Sequence, residues 1–312
     1  MLSVTMAALN ASQKEMNVTS NNLANASTVG FKRSYANFGD VFSNDPAANP
    51  KTAVGAGVLL TSVARDTTAG ALKSTGRVTD MAIDGRGYFV TKDPAGGANA
   101  SNTYSRAGNF GIDVNGNLVD AGGFQVQGFK PDPASTPLAA LETGGVIDGV
   151  KIPSTIEAGN WPTGTYCSNP APDLNATPTN GVYPPKAANA GPDLGSVLQS
   201  LSISPKGEVQ ATYSDNKTYT LRFVAIANFP SDQGLKAIGN NRYSETGLSG
   251  KASITGAGAP KAGNIMTGTL EQANVDITNE LMDMIRSQQV YNGNARMLQT
   301  TIETVSRITD KI

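Results

Sequence analysis

The sequence predicts an α+β chain: N- and C-terminal helices paired as a coiled-coil-like stalk, an antiparallel β domain, and a small inserted distal domain. Three observations predict it. Residues 281–312 carry an apolar seam at alternating three- and four-residue spacing, and the first residues carry a heptad stripe that matches it. Between them stand short alternating runs separated by hairpin-turn dipeptides.

At the start, Leu2, Leu9, Met16 and Leu23 are spaced by sevens, and Met6, Ala11 and Val18 widen the stripe. Apart from Lys14 and Glu15 the rest is uncharged Asn, Ser, Thr and Gln, mostly poor helix formers. Such a helix is marginal alone in water and is expected to form against the C-terminal helix, or when copies of the pair pack together. The same pattern would serve an ordinary two-helix tail on a monomer. The helix is expected to end near Asn25, followed by a turn over residues 27–31 in which Gly30 takes a positive φ. Phe31, Tyr35, Phe38, Val41 and Phe42, spaced mostly by three and four, predict a short amphipathic segment, and residues 43–51 a loop.

From Gly55 the period becomes two. Strands are expected at 58–63, 81–83, 87–91, 103–105, 109–112, 118–119 and 124–126, with turns at Asp84-Gly85, Asn115-Gly116 and Gly122-Gly123. Residues 131–198, rich in Pro and Ala around Trp161, Cys167 and Tyr183, read as the loop-rich insertion. Strands resume at 201–203, 208–213 and 219–227 around turns at Lys206-Gly207 and Asp215-Asn216, before a Gly-rich stretch, 247–263.

The final helix is expected from about Asn279 to Lys311, roughly 50 Å long. Its seam is Leu281, Met284, Gln288, Tyr291, Ala295, Leu298, Ile302, Val305, Thr309 and Ile312, with Thr278 as cap and Glu280 and Asp283 in the dipole-favoured turns. The assembly surface is expected on Leu2, Leu9, Met16, Leu23, Leu281, Met284, Tyr291, Leu298, Ile302 and Val305. The domains are then 1–30 with 272–312, 31–130 with 199–271, and 131–198.

Composition narrows the chemistry. The 312 residues include no His and one Cys, so the usual catalytic triad, an internal disulfide and a Cys/His zinc site are excluded. A net charge of −1 with 16% charged residues gives no footprint for nucleic acid, and no apolar run is long enough for membrane insertion. The opening residues lack a basic n-region, so they do not read as a cleaved signal. Asp80, Asp84 and Asp113 sit in or near Gly- or Asn-rich turns, which explains them better than a glycosidase-like pair. Sequons at Asn10, Asn17 and Asn25 lie in the first helix and read poorly as glycosylation sites. No cofactor, metal or catalytic residue is expected. With 34 Gly and 6% aromatics, the composition suits exposed polymers and adhesins and also many β-rich enzymes, and a secreted glycan-binding β protein is the rival to a polymer subunit.

The run Asn21-Asn22-Leu23-Ala24-Asn25-Ala26-Ser27-Thr28-Val29-Gly30-Phe31-Lys32 closely resembles the N-terminal signature of bacterial flagellar rod and hook proteins. Residues 268–277, with 280–285 and 289–291, resemble that family's C-terminal signature, and Tyr104-Ser105-Arg106-Ala107-Gly108-Asn109-Phe110 resembles part of its first β block. The motif residues are Asn21, Asn22, Asn25, Gly30 and Phe31. The likeness covers about 1–130 and 200–312 and omits the insertion. The short join after the first signature resembles the hook branch, whereas the modest chain length leaves the rod branch open. The resemblance implies export in unfolded form through the flagellar export apparatus and assembly into a homopolymeric helical tube. Rod, hook cap and hook–filament junction proteins are its implied partners, in the flagellar hook or basal body.

Overall fold

A computed structural model of the chain describes residues 2–42, 55–99, 101–132, 139–140, 147–155, 166–167, 195–260 and 262–309. The expected 43–51 loop, Trp161, Tyr183, Lys311 and Ile312 lie outside these residues. The elements in chain order begin with α1 (Leu2–Ala24), β1 (Ser34–Phe42), β2 (Gly55–Arg65), β3 (Leu72–Ser74), β4 (Met81–Asp84), β5 (Tyr88–Lys92) and β6 (Asn102–Ser105). There follow β7 (Gly111–Ile112), β8 (Leu118–Val119), β9 (Gln125–Phe129), β10 (Pro131–Asp132), β11 (Ala139–Ala140), β12 (Asp148–Gly149) and β13 (Tyr166–Cys167). Then come β14 (Leu198–Ile203), β15 (Glu208–Tyr213), β16 (Thr218–Asn228), β17 (Lys236–Gly239), β18 (Arg242–Ser244), β19 (Ser253–Gly256), β20 (Asn264–Thr267), β21 (Thr269–Glu271) and α2 (Ile277–Thr309). The chain divides into two units, 1–70 with 273–312 and 71–272.

The first unit holds both helices and an antiparallel hairpin of β1 and β2. α1 packs against α2 and against both hairpin strands. The hairpin therefore groups with the terminal helices, whereas the sequence reading assigned residues 31–70 to the β domain. The expected amphipathic segment at 31–42 is largely a strand, in which alternation sends Tyr35 and Val41 to one face and Phe38 to the other. The cap of α2 is Asp276 rather than Thr278: its Oδ1 accepts the backbone N–H groups of Thr278 (2.9 Å) and Asn279 (3.2 Å). Late in α2, Thr300 and Thr301 donate to the carbonyl of Met297 (3.0 and 2.7 Å), Thr304 to that of Thr300, and Thr309 to that of Val305 (2.9 Å).

The second unit is built around β16, from which an antiparallel sheet runs β14-β15-β16-β9-β5-β6-β18-β17. Both faces of β16 are buried, and its second half, residues 223–227, reads as a continuous apolar run. Val224 and Ile226 face one core with Phe89, Phe110, Val126 and Val209, while Phe223, Ala225 and Ala227 face another with Tyr88, Tyr104 and Phe229. Edge-to-face rings fasten both cores, Phe89 on Phe110 at 5.1 Å and Tyr104 on Phe229 at 4.8 Å. Asn115-Gly116, Gly122-Gly123, Lys206-Gly207 and Asp215-Asn216 lie in turns between paired strands, with φ of +80° at both Gly116 and Gly123. Asp84-Gly85 does not make a hairpin, because β4 pairs with β20 instead of β5. The Gly-rich 247–263 stretch contains β19, paired to β16. Within the expected insertion, β12 pairs with β9 and Val150 and Ile152 enter the first core, so residues 147–155 are part of the β unit.

Arg106 ties the last strand of this unit to its first block. Its buried guanidinium donates to Glu271 (3.2 Å), to the carbonyl of Ile83 (3.2 Å) and to that of Gly85 (2.7 Å). Two residues on, Gly108 accepts the backbone N–H of Met81 at 2.9 Å, and a Cβ there would lie 1.6 Å from the Met81 carbonyl oxygen. Gly108→Ala is accordingly expected to lower stability by roughly 3 kcal/mol, read as a drop in the urea midpoint of the β signal. Gly293 is the contrasting case, since a Cβ on it meets nothing within 4 Å. Gly293→Ala is expected to stabilise α2 by about 1 kcal/mol, seen as a later loss of helical circular dichroism on heating.

Candidate assembly surface on the helical unit

The signature around Asn22 forms a polar knot. The Asn22 side chain brackets the backbone of Ser34, donating to its carbonyl (2.7 Å) and accepting its N–H (2.9 Å), and also donates to Glu280 at 3.2 Å. Glu280, 1% exposed, takes its second partner from the Nε of Arg33. Arg33 reaches Asp283 at 3.6 Å, and its backbone N–H donates to Asn274 at 2.7 Å. Asn274 in turn donates to the carbonyls of Asp66 and Thr68, both at 3.1 Å, and the buried Lys32 donates to Thr68 at 2.6 Å. The backbone N–H of Thr68, with smaller contributions from Lys32 and Arg33, holds the Asp66 carboxyl below its ordinary range. Asn21, Asn25, Gly30 and Phe31 shape the turn leading in. Asn25 donates to the Asn21 carbonyl at 2.9 Å, Gly30 has φ +69°, and Phe31 accepts the backbone N–H of Asn274 at 3.4 Å.

Because the end of α1 meets the start of α2 at Asn22 and Glu280, the helices run antiparallel. The most deeply buried positions of the two helices are not the apolar ones. The buried positions on α1 are Thr5, Ser12 and Thr19, again spaced by sevens, with Asn22; those on α2 are Glu280 and Ser287. Leu9, Met16 and Leu23 are half-buried beside them, as are Met284, Tyr291 and Leu298 on α2, while the side chain of Leu2 is outside the described residues. Leu281, Ile302 and Val305 are 42%, 54% and 57% exposed, with Ile277, Ile285, Val290, Met297 and Ile308 also exposed. A satisfied hydroxyl contributes about 1 kcal/mol and little apolar area. Covering the exposed half of an Ile contributes roughly another 1 kcal/mol. The larger driving force of α2 is thus unused within one copy.

The sequence reading missed Thr5, Ser12, Thr19 and Ser287, though their seven-residue spacing was there to be read. It also missed Arg33, just beyond the first signature, and the bonding role of Asn274, which lies within the second. A groove opens between α1 and β2. One cavity of about 460 Å³ lies among Ala7, Asn10, Ala11, Lys14, Val58, Leu59 and Leu60, and a second of about 290 Å³ continues it along Val18, Asn21 and Val63. Among the described residues no group of three His, Cys, Asp or Glu side chains is placed to hold a metal, and no helix is long and apolar enough to cross a membrane.

The knot gives an asymmetric mutational expectation. Arg33→Leu strands the Glu280 carboxylate in its buried site and is expected to cost about 3 kcal/mol. Glu280→Gln leaves a partly exposed Arg33 free to hydrate and should cost about 1 kcal/mol. Urea unfolding followed by helical signal checks the order.

Comparison with known proteins places these features. The profile described as "Flagella basal body rod protein" matches residues 2–32, "Flagellar hook protein FlgE/F/G D1 domain" matches 82–165, and "Flagellar basal body rod FlgEFG protein C-terminal" matches 266–310. The flagellar hook protein FlgE of Escherichia coli (strain K12) is 26% identical over an alignment of 395 positions, gaps included, covering 94% of this chain and 95% of that protein. The flagellar basal-body rod protein FlgG of Bacillus subtilis (strain 168) is 30% identical over 309, covering 95% and 92%. FlgG of Buchnera aphidicola subsp. Baizongia pistaciae is 29% identical over 311, covering 96% and 95%. The chain belongs to the flagellar rod and hook family, whose members are structural subunits of the bacterial flagellum and not enzymes.

Proposed function

We propose that this chain is the subunit of the flagellar hook, exported unfolded and polymerised into a helical tube that acts as a flexible joint. The observation that carries the reading is the uncovered apolar surface of α2. In this reading α1 and α2 form a coiled-coil-like stalk, and Leu2, Leu9, Met16, Leu23, Leu281, Met284, Tyr291, Leu298, Ile302 and Val305 meet sister copies. The β unit forms the wall, and the loop-rich part of 131–198 is a small distal insertion. Rod, hook cap and hook–filament junction proteins are the neighbours. The short join between the first signature and the β unit supports a hook subunit.

A second reading, a rod subunit, is favoured by length. The alignment with the Bacillus subtilis rod protein spans 309 residues against 312 in this chain, whereas that with the Escherichia coli hook protein spans 395. Electron microscopy of a deletion strain separates the two. Complete rods without hooks are expected, and loss of the rod itself would transfer the assignment. Removing residues 281–312 is expected to leave a folded β unit that no longer assembles, and normal polymers from the truncated chain would overturn the polymer reading.

A further inference from the structure

We propose that the apolar tip of α2 is received by the groove between α1 and β2 of a second copy, so that helical units join head to tail. This rests on reading the chain as a polymer subunit, and adds which surface meets which. With Asn22 abreast of Glu280 and each helix rising about 1.5 Å per residue, α1 reaches along α2 only to about residue 300. Ile302, Val305 and Ile308 lie beyond that point, three residues apart on one side and each more than half exposed. Nothing in α1 extends far enough to cover them.

The groove can receive that overhang. Ala7 and Ala11 keep the helix wall low between the polar Asn10, Gln13, Lys14 and Asn17, and Val58, Leu59 and Leu60 line the strand side, around an open cavity of about 460 Å³. A helix tip laid in it meets apolar surface on the strand side and polar side chains along the helix wall. Lys14 in the groove and Glu303 on the tip carry opposite charges. Tip and groove are different surfaces of one unit, so the contact is heterologous and propagates into an open filament unless its rotation closes a ring.

Cysteine cross-linking tests the pairing. In a Cys167→Ser background, a tagged Leu59→Cys chain and an untagged Val305→Cys chain are mixed, polymerised and oxidised with copper phenanthroline. Disulfide-linked dimers of one tagged and one untagged chain are expected from polymer, with none from either variant alone or from unpolymerised protein. Polymer without mixed dimers overturns the groove while leaving the polymer reading intact, and dimers from Leu59→Cys alone overturn it in favour of groove-to-groove pairing. A Cys167→Ser parent that never polymerises sinks the polymer reading itself. Independently, Leu59→Glu and Val305→Glu are each expected to lose assembly while keeping the parent's helical circular dichroism, and retained assembly in either overturns the proposal.

Discussion

The carboxylate of Glu280 is the constraint on which the helical unit depends. An ionised group this deeply buried costs several kcal/mol unless paired and hydrogen-bonded, and here its partners come from the end of α1 and from the residue just before β1. Meeting that requirement joins the end of α1 and the start of β1 to the start of α2, 258 and 247 residues further along the chain. It also fixes the alignment of α1 on α2, and with it the point at which α1 stops and α2 runs on alone. The signature residues at either end are therefore intelligible as one hydrogen-bonded object rather than two motifs.

The two units solve burial differently. The β unit closes apolar cores on both faces of β16, with aromatic rings locked edge to face. The helical unit buries Thr and Ser most deeply on its helices and leaves residues such as Leu281, Ile302 and Val305 largely exposed. Stability is accordingly uneven, high around the two cores that flank β16 and low in the terminal helices until something covers them.

Much of the fold was legible because it follows from local chemistry. Turn dipeptides such as Asn115-Gly116 and Lys206-Gly207 need a positive φ, so they announce hairpins from sequence alone. The end of α1 and the start of α2 fell within a few residues of those expected. The reading failed where the signal was not hydrophobic or not local. Hydroxyls at Thr5, Ser12 and Thr19 carry no apolar signature, so the visible heptad was taken for the buried one. The aromatics at Tyr35 and Phe38 mimic helical spacing although strand alternation parts them to opposite faces. β19, β20 and β21 are short and Gly-flanked, and are specified by partners far away in the chain. The groove along α1 needs β2 folded beside it, and no pattern within either segment foretells it.

The threonines late in α2 have a mechanical consequence. Thr300, Thr301, Thr304 and Thr309 each give a hydroxyl to a carbonyl one turn back, an arrangement that slackens the backbone ladder and lets a helix curve. When such a helix is flexed, the oxygens on its stretched side keep an acceptor's partner even as their amide bonds lengthen. Strain spreads over several turns instead of concentrating in one kink, so this end of the chain behaves as an elastic strut and not as a brittle one.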